Sequence, residues 1–156
     1  MKIENKIAIG CIVQWYEVEI VGFYIESLLQ AIEGVDNKEN VIVDVCFYMS
    51  ENFEPIDEKQ MKMSEVWNRF RGLEKSLIES GVTCNIEYYT SDERYTISNY
   101  RRDFNDKYCE ITDVLMWGET DALIPRQTFQ IIDMLHTNNI SQNTFKWVAF
   151  FGTCKM

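Results

Sequence analysis

The residues of this chain best placed to do chemistry lie in Asp113-Val-Leu-Met-Trp-Gly-Glu-Thr-Asp-Ala-Leu-Ile-Pro125, where an apolar run leads straight into Glu119 and Asp121 and then into a proline. Two carboxylates at i and i+2 on the exposed end of a central strand repel each other unless a hard divalent cation or another positive group sits between them. Mg²⁺ or Mn²⁺ suits oxygen ligands of this kind, and the phosphate oxygens of a nucleoside diphosphate would complete the shell. A cation held there neutralises charge building on a departing diphosphate, which is Lewis-acid catalysis. The remaining candidates point elsewhere. His136, the single histidine, stands near the end of a predicted helix, where it suits interaction with the last carbonyls. Cys11, Cys46, Cys84, Cys109 and Cys154 are odd in number, widely spaced and without a Cys-x-x-Cys pair, which argues against zinc and for buried free thiols in a reducing cytoplasm.

A carboxylate pair is useful only if strands and helices hold it, and the pattern along the chain supplies them. Lys6 to Val13 is a nearly continuous apolar, β-branched run, as in a parallel strand buried on both faces. From Glu19 the apolar positions Ile20, Phe23, Tyr24, Leu28, Ala31 and Ile32 recur at helical spacing up to Gly34. Val41 to Tyr48 gives a second strand, followed by an acidic loop from Ser50 to Glu58 with Pro55. Met61 to Ser80 predicts a helix with Val66, Trp67, Phe70, Leu73, Leu77 and Ile78 on its apolar face and Gly81 as its cap. Val82 to Tyr89 reads as a third strand, Asn99 to Asp106 as a helix presenting Arg101 and Arg102, and Thr112 to Trp117 as a fourth strand. Pro125 suits the first turn of a helix through His136 with Phe129, Ile132 and Leu135 inward, and a last strand is expected from Phe145 to Phe151. Trp67, Trp117 and Trp147 are expected in the core. Strands alternating with helices predict an α/β fold, a three-layer doubly wound and mostly parallel sheet, whose ligands bind beyond the carboxyl ends of the strands.

Whole-chain properties bound the function. A length of 156 residues, 46% of them hydrophobic and 26% charged, suits a single domain over 1–156. A net charge of −10 argues against nucleic acid or an anionic membrane as the main partner, while leaving a small ligand held through a cation. No apolar stretch approaches the ~20 residues of a transmembrane segment. With no signal peptide at Met1 to Lys6, a cytoplasmic location is expected.

At the carboxylate pair the chain resembles the nucleotide-sugar-dependent glycosyltransferases of the GT-A type, particularly their large inverting synthase family. The family hallmark is an Asp-x-Asp or Glu-x-Asp triplet at a strand end followed by a short apolar stretch and a proline, and Glu119-Thr-Asp121-Ala-Leu-Ile-Pro125 is similar to it. Ile12-Val-Gln-Trp-Tyr-Glu17 stands where the family has a strand ending in Tyr-Asn or Tyr-Glu, and Tyr24-Ile-Glu-Ser-Leu-Leu-Gln30 matches its following helix. The resemblance implies a nucleotide-diphospho-sugar-transferase-like fold and a metal-dependent glycosyltransferase of hexosyltransferase type, moving a sugar from a nucleoside-diphosphate donor to an unknown acceptor. It implies Mn²⁺ or Mg²⁺ on Asp121, with Glu119 on the ribose or a metal-bound water, and a nucleotide bordered by Gln14, Tyr16 and Glu17. Arg101 and Arg102, with Asn99, fall where the family places polar and basic residues near the diphosphate. Ser50, in Met49-Ser-Glu-Asn52, stands at the turn after the second strand and is assigned to the nucleotide as well. Transfer in the family is direct displacement at the anomeric carbon, with an acidic residue taking the acceptor proton; Asp133 and Glu110 offer that residue type here. The chain ends about thirty-five residues after Asp121, short of the family's acceptor half. The expectation is therefore a minimal or truncated transferase, or a domain that binds a nucleotide sugar without completing transfer. The alternative is a non-catalytic α/β binding or interaction module, with Glu119 and Asp121 solvated.

Overall fold

The structure, a computed structural model, describes residues 1–49, 61–90 and 95–141. Its elements are β1 (Ile7–Gln14), α1 (Val21–Glu33), β2 (Val41–Tyr48), α2 (Met63–Glu79), β3 (Thr83–Tyr89), α3 (Ile97–Tyr108), β4 (Val114–Trp117) and α4 (Thr128–Ser141), with short 3-10 turns at Trp15–Glu17 and Lys38–Asn40. The expected strand at Phe145 to Phe151 and the loop from Ser50 to Glu58 lie outside the described residues.

Among the described residues the four strands form one sheet in the order β3-β2-β1-β4, and each neighbouring pair is parallel. β1 and β2 are buried on both faces, which is why they read as apolar runs, interrupted in β2 only by Asp44. The larger core lies on the face covered by α1, α2 and α4, where Val21, Leu28, Phe70, Leu77, Phe129 and Ile132 meet Ile7, Ile9, Val43 and Phe47. The opposite face is covered by α3, whose Tyr100, Phe104 and Tyr108 pack on Ala8, Ile12, Ile42 and Cys46. These layers make the fold doubly wound: the chain steps outward from β1 to β3 with its helices on one face, then crosses to β4 with α3 on the other.

A polar knot holds α3 to the sheet. Asp44, in the middle of β2, is only 5% exposed. Its carboxylate accepts hydrogen bonds from the Tyr100 hydroxyl (2.8 Å), the Tyr108 hydroxyl (2.7 Å) and the Asn85 amide (2.8 Å), and pairs with Lys107 Nζ at 3.1 Å. Each oxygen of the buried charge is thus satisfied, the condition under which such burial is tolerated.

Several details depart from the sequence reading. Phe23 and Ile78 were expected on the apolar faces of their helices, but both are exposed, each lying at the margin of the stripe that meets the sheet. Leu135 is only half-buried. α4 starts at Thr128, so Pro125 precedes the helix: Ile124 is buried and its N–H is bound by the Ser27 hydroxyl at 2.9 Å, which keeps that segment extended before the turn in which Thr128 N–H reaches the Pro125 carbonyl. Gly81, with φ of +82°, ends α2 in the left-handed conformation that its missing side chain permits. Cys11 and Cys46 are buried thiols as expected, Cys84 is half-buried and Cys109, at the end of α3, is exposed.

Candidate functional site

In a doubly wound sheet the ligand crevice opens where the chain reverses direction, here between the carboxyl ends of β1 and β4. The two segments that the sequence singled out, Gln14 to Glu17 and Glu119 to Asp121, both emerge there. They are joined by Glu17, whose carboxylate accepts the Gln14 N–H at 2.7 Å through one oxygen and the Thr120 hydroxyl at 2.7 Å through the other. Thr120, the middle residue of the triplet, is buried by this bond, so its neighbours Glu119 and Asp121 are turned outward.

Close packing beneath the triplet explains Gly118. Its N–H donates to the Gly10 carbonyl at 2.7 Å, extending the β1–β4 pairing, and a Cβ at this position would lie 2.0 Å from the Tyr24 hydroxyl. The buried Tyr24 meets Cys11, and burial pushes both the Tyr24 hydroxyl and the Cys11 thiol well above their ordinary pKa values, with Glu17 and Glu119 pushing the thiol in the same direction. Cys11 is thus buried in the core beside Tyr24, as a packing group.

Above the triplet stands α3. Arg101 reaches from its second turn to pair with the Glu119 carboxylate, and the guanidinium carbon lies 4.9 Å from the centre of the Trp117 ring. Trp117 is 49% exposed, a correction to its expected place in the core. It closes β4 on the α3 side of the sheet, where its indole N–H is held by Asn105 at 3.1 Å. Arg102 points its charge at its neighbour Asp103 at 2.9 Å, and the Tyr95 hydroxyl and that guanidinium hold the Asp103 carboxyl below the usual range. Arg102 is thus a solvated residue of α3 and makes no contact with the triplet. Tyr16 is 62% exposed, set edge-on to Trp15. Ser50 lies outside the described residues.

Neither acid offered as a proton acceptor is at this end of the sheet. Asp133 accepts the N–H groups of Glu4 and Asn5 at 2.9 and 2.7 Å, at the amino end of β1, and Glu110 lies in the turn leading into the amino end of β4. A groove of about 660 Å³ lined by Trp67, Arg71, Glu74, Ile78 and Tyr88 opens between α2 and β3, at the edge of the sheet away from the triplet.

Asp121 is exposed and makes no hydrogen bond or ion pair among the described residues. Only one Glu119 carboxylate oxygen, Oε1, accepts a hydrogen bond from Arg101. By residue type alone, two carboxylates suit a hard dication of the Mg²⁺ kind, which takes one or two protein carboxylates and completes its shell with water and phosphate oxygens. No group of three or more histidine, cysteine, aspartate or glutamate side chains gathers for a metal among the described residues. No family model, no curated protein and no solved structure matches this chain.

Of the residues the sequence singled out, Gln14, Tyr16, Glu17, Arg101, Glu119 and Asp121 stand at this end of the sheet, while Arg102 turns to Asp103 and Ser50 lies outside the described residues. The sequence reading missed Trp117, Asn105 and Thr120. Only Trp117 left a signal: a large aromatic as the last strand residue before a glycine and a carboxylate pair.

Proposed function

We propose that the crevice between β1 and β4 binds a nucleoside-diphosphate sugar together with Mn²⁺ or Mg²⁺, and that the chain is a glycosyltransferase of the hexosyl-transferring kind acting on that donor. The observation that carries this reading is the placement of Glu119 and Asp121: an outward carboxylate pair at the switch point of a parallel sheet, tied by Thr120 to the end of β1. Asp121 and Glu119 would hold the cation, which when bound supplies Lewis-acid stabilisation of a leaving diphosphate. Arg101 offers a planar pair of donors to the phosphates, and Tyr16 and Trp117 present aromatic surface beside them. The amino ends of α1 and α3 lie at this same end of the sheet, so their partial positive charge favours an anionic ligand. These residues would serve the donor half of such a reaction; no acceptor-side base is assigned.

The Arg101–Glu119 pair favours a second reading, because it neutralises one of the two carboxylates without any ligand. In that case the sheet is a non-catalytic binding or interaction module. Calorimetry with UDP, GDP, CDP and dTDP sugars, with and without Mn²⁺, decides between them. The transferase reading expects binding that needs the metal and is lost in Asp121→Ala with the circular dichroism spectrum unchanged. Absence of metal-dependent binding for every nucleotide leaves the interaction module.

A further inference from the structure

We infer that Arg101 is an exchangeable counter-ion, occupying Glu119 until a divalent cation takes that carboxylate and releases the guanidinium toward the diphosphate. The inference rests on the donor-site reading above and adds to it the order in which its charges must rearrange. Three charged residues belong to this end of β4: Arg101 and Glu119, which pair, and Asp121, two residues on from Glu119, which is exposed and has no partner among the described residues. With Arg101 in place, only Asp121 and one oxygen of Glu119 remain for a cation, and the guanidinium repels it at close range.

The pair is built to open. Its side chains are 31% and 44% exposed, in the range where solvent weakens an ion pair and makes its rupture inexpensive. The guanidinium does not depend on Glu119 alone, because it also rests over the Trp117 ring at 4.9 Å. That ring is pinned by Asn105, one helical turn after Arg101 on α3, so the same helix carries the cation and fixes the surface beside it. Once displaced from Glu119, Arg101 remains over the indole with its donors directed outward, where two phosphate oxygens suit its fork better than one shared carboxylate oxygen. By linkage, a diphosphate that draws Arg101 away must strengthen cation binding by the same factor as the cation strengthens diphosphate binding.

The distinguishing consequence concerns the metal alone. Removing a residue that only contacts phosphate changes metal affinity by no more than the loss of a charge at that distance, whereas removing an occupant of the metal carboxylate raises it well beyond that. Mn²⁺ titration of the full chain, followed by the electron paramagnetic resonance signal of free Mn²⁺ without nucleotide, is expected to show Arg101→Gln binding about tenfold more tightly than the wild type, within the range usual for coupled sites. Arg101→Met, a second neutral variant, is expected to show the same gain, with folding of each checked by circular dichroism. Arg71→Gln, which removes an equal charge from α2, is expected to match the wild type. Equal or weaker Mn²⁺ binding in both Arg101 variants overturns the exchange while leaving the donor site standing, and so does an equal gain in Arg71→Gln. Failure of every chain to bind Mn²⁺ overturns the donor site and the exchange together.

Discussion

Gly118 shows how much a single position decides here. The β4 strand must end against β1 closely enough for its N–H to reach the Gly10 carbonyl, and the buried Tyr24 hydroxyl fills the space where a side chain would start. Gly118→Ala is therefore expected to destabilise the fold by about 1–3 kcal/mol, the usual cost of forcing an extra carbon into a packed site, as read by chemical denaturation. Gly10 is constrained in the same way from the other face, since a Cβ there would lie 2.6 Å from the Phe104 ring. The constraint at Gly118 is not legible in the sequence, where a glycine after a strand reads only as a turn, whereas a glycine inside an apolar strand, as at Gly10, signals a close approach. Glu119 and Asp121 were legible because carboxylates at the end of an apolar strand are costly without a purpose. Arg101 was legible only as a basic residue in a polar helix: its partner lies eighteen residues away, and spacing alone does not distinguish it from Arg102.

At the level of elements, α3 is the one that hydrophobic patterning explains least. Its inward face is aromatic, and Tyr100 and Tyr108 carry hydroxyls that need partners once buried. Asp44 supplies them from the middle of a strand otherwise made of apolar residues. Asp44→Ala leaves the buried Tyr108 hydroxyl unpaired and the Tyr100 hydroxyl with only the backbone carbonyl of residue 44, at 2.9 Å, and is expected to cost about 3 kcal/mol, measured as a loss of unfolding free energy in guanidinium chloride. Because α3 carries Arg101 and Asn105, the same variant is expected to loosen the Arg101–Glu119 pair. The tyrosines also set an alkaline limit. Burial foremost, followed by the adjacent carboxylate, raises the Tyr100 and Tyr108 hydroxyls far above the ordinary value of 10.0, so the folded chain keeps protons that the unfolded chain releases. Stability is therefore fully present below pH 10 and is expected to fall as the pH rises above it, a decline that Tyr108→Phe should lessen in a series of melting curves.

For the molecule as a whole, the two unequal faces of the sheet divide the work. The α1, α2 and α4 side buries the larger apolar cluster, while the α3 side is smaller, more polar and brings charge to the crevice. A ligand that binds only the folded chain raises its melting temperature. If the donor site operates as proposed, a cognate nucleotide sugar at about a hundred times its dissociation constant contributes about 2.7 kcal/mol, or about 5–10 °C for a chain of this size. That shift is expected only with Mn²⁺ present and is expected to vanish in Asp121→Ala, as a thermal-shift panel would show. With a net charge of −10, the chain would, on the proposed reading, rely on a bound cation and on Arg101 to receive a diphosphate.

The sequence by itself determined the alternation of strands and helices, because burial on both faces imposes apolar runs such as Ile7 to Val13 and burial on one face imposes the helical spacing of Val66, Phe70 and Leu77. It also determined that the chain carries a carboxylate pair at a strand end. Only the tertiary structure decided that β4 lies beside β1, that the switch point therefore falls at this pair, and that Arg101, Trp117 and Asn105 gather around it. Strand order and contacts between distant side chains depend on which crossovers pack on which face, and periodicity records only that a face is buried, not what it is buried against.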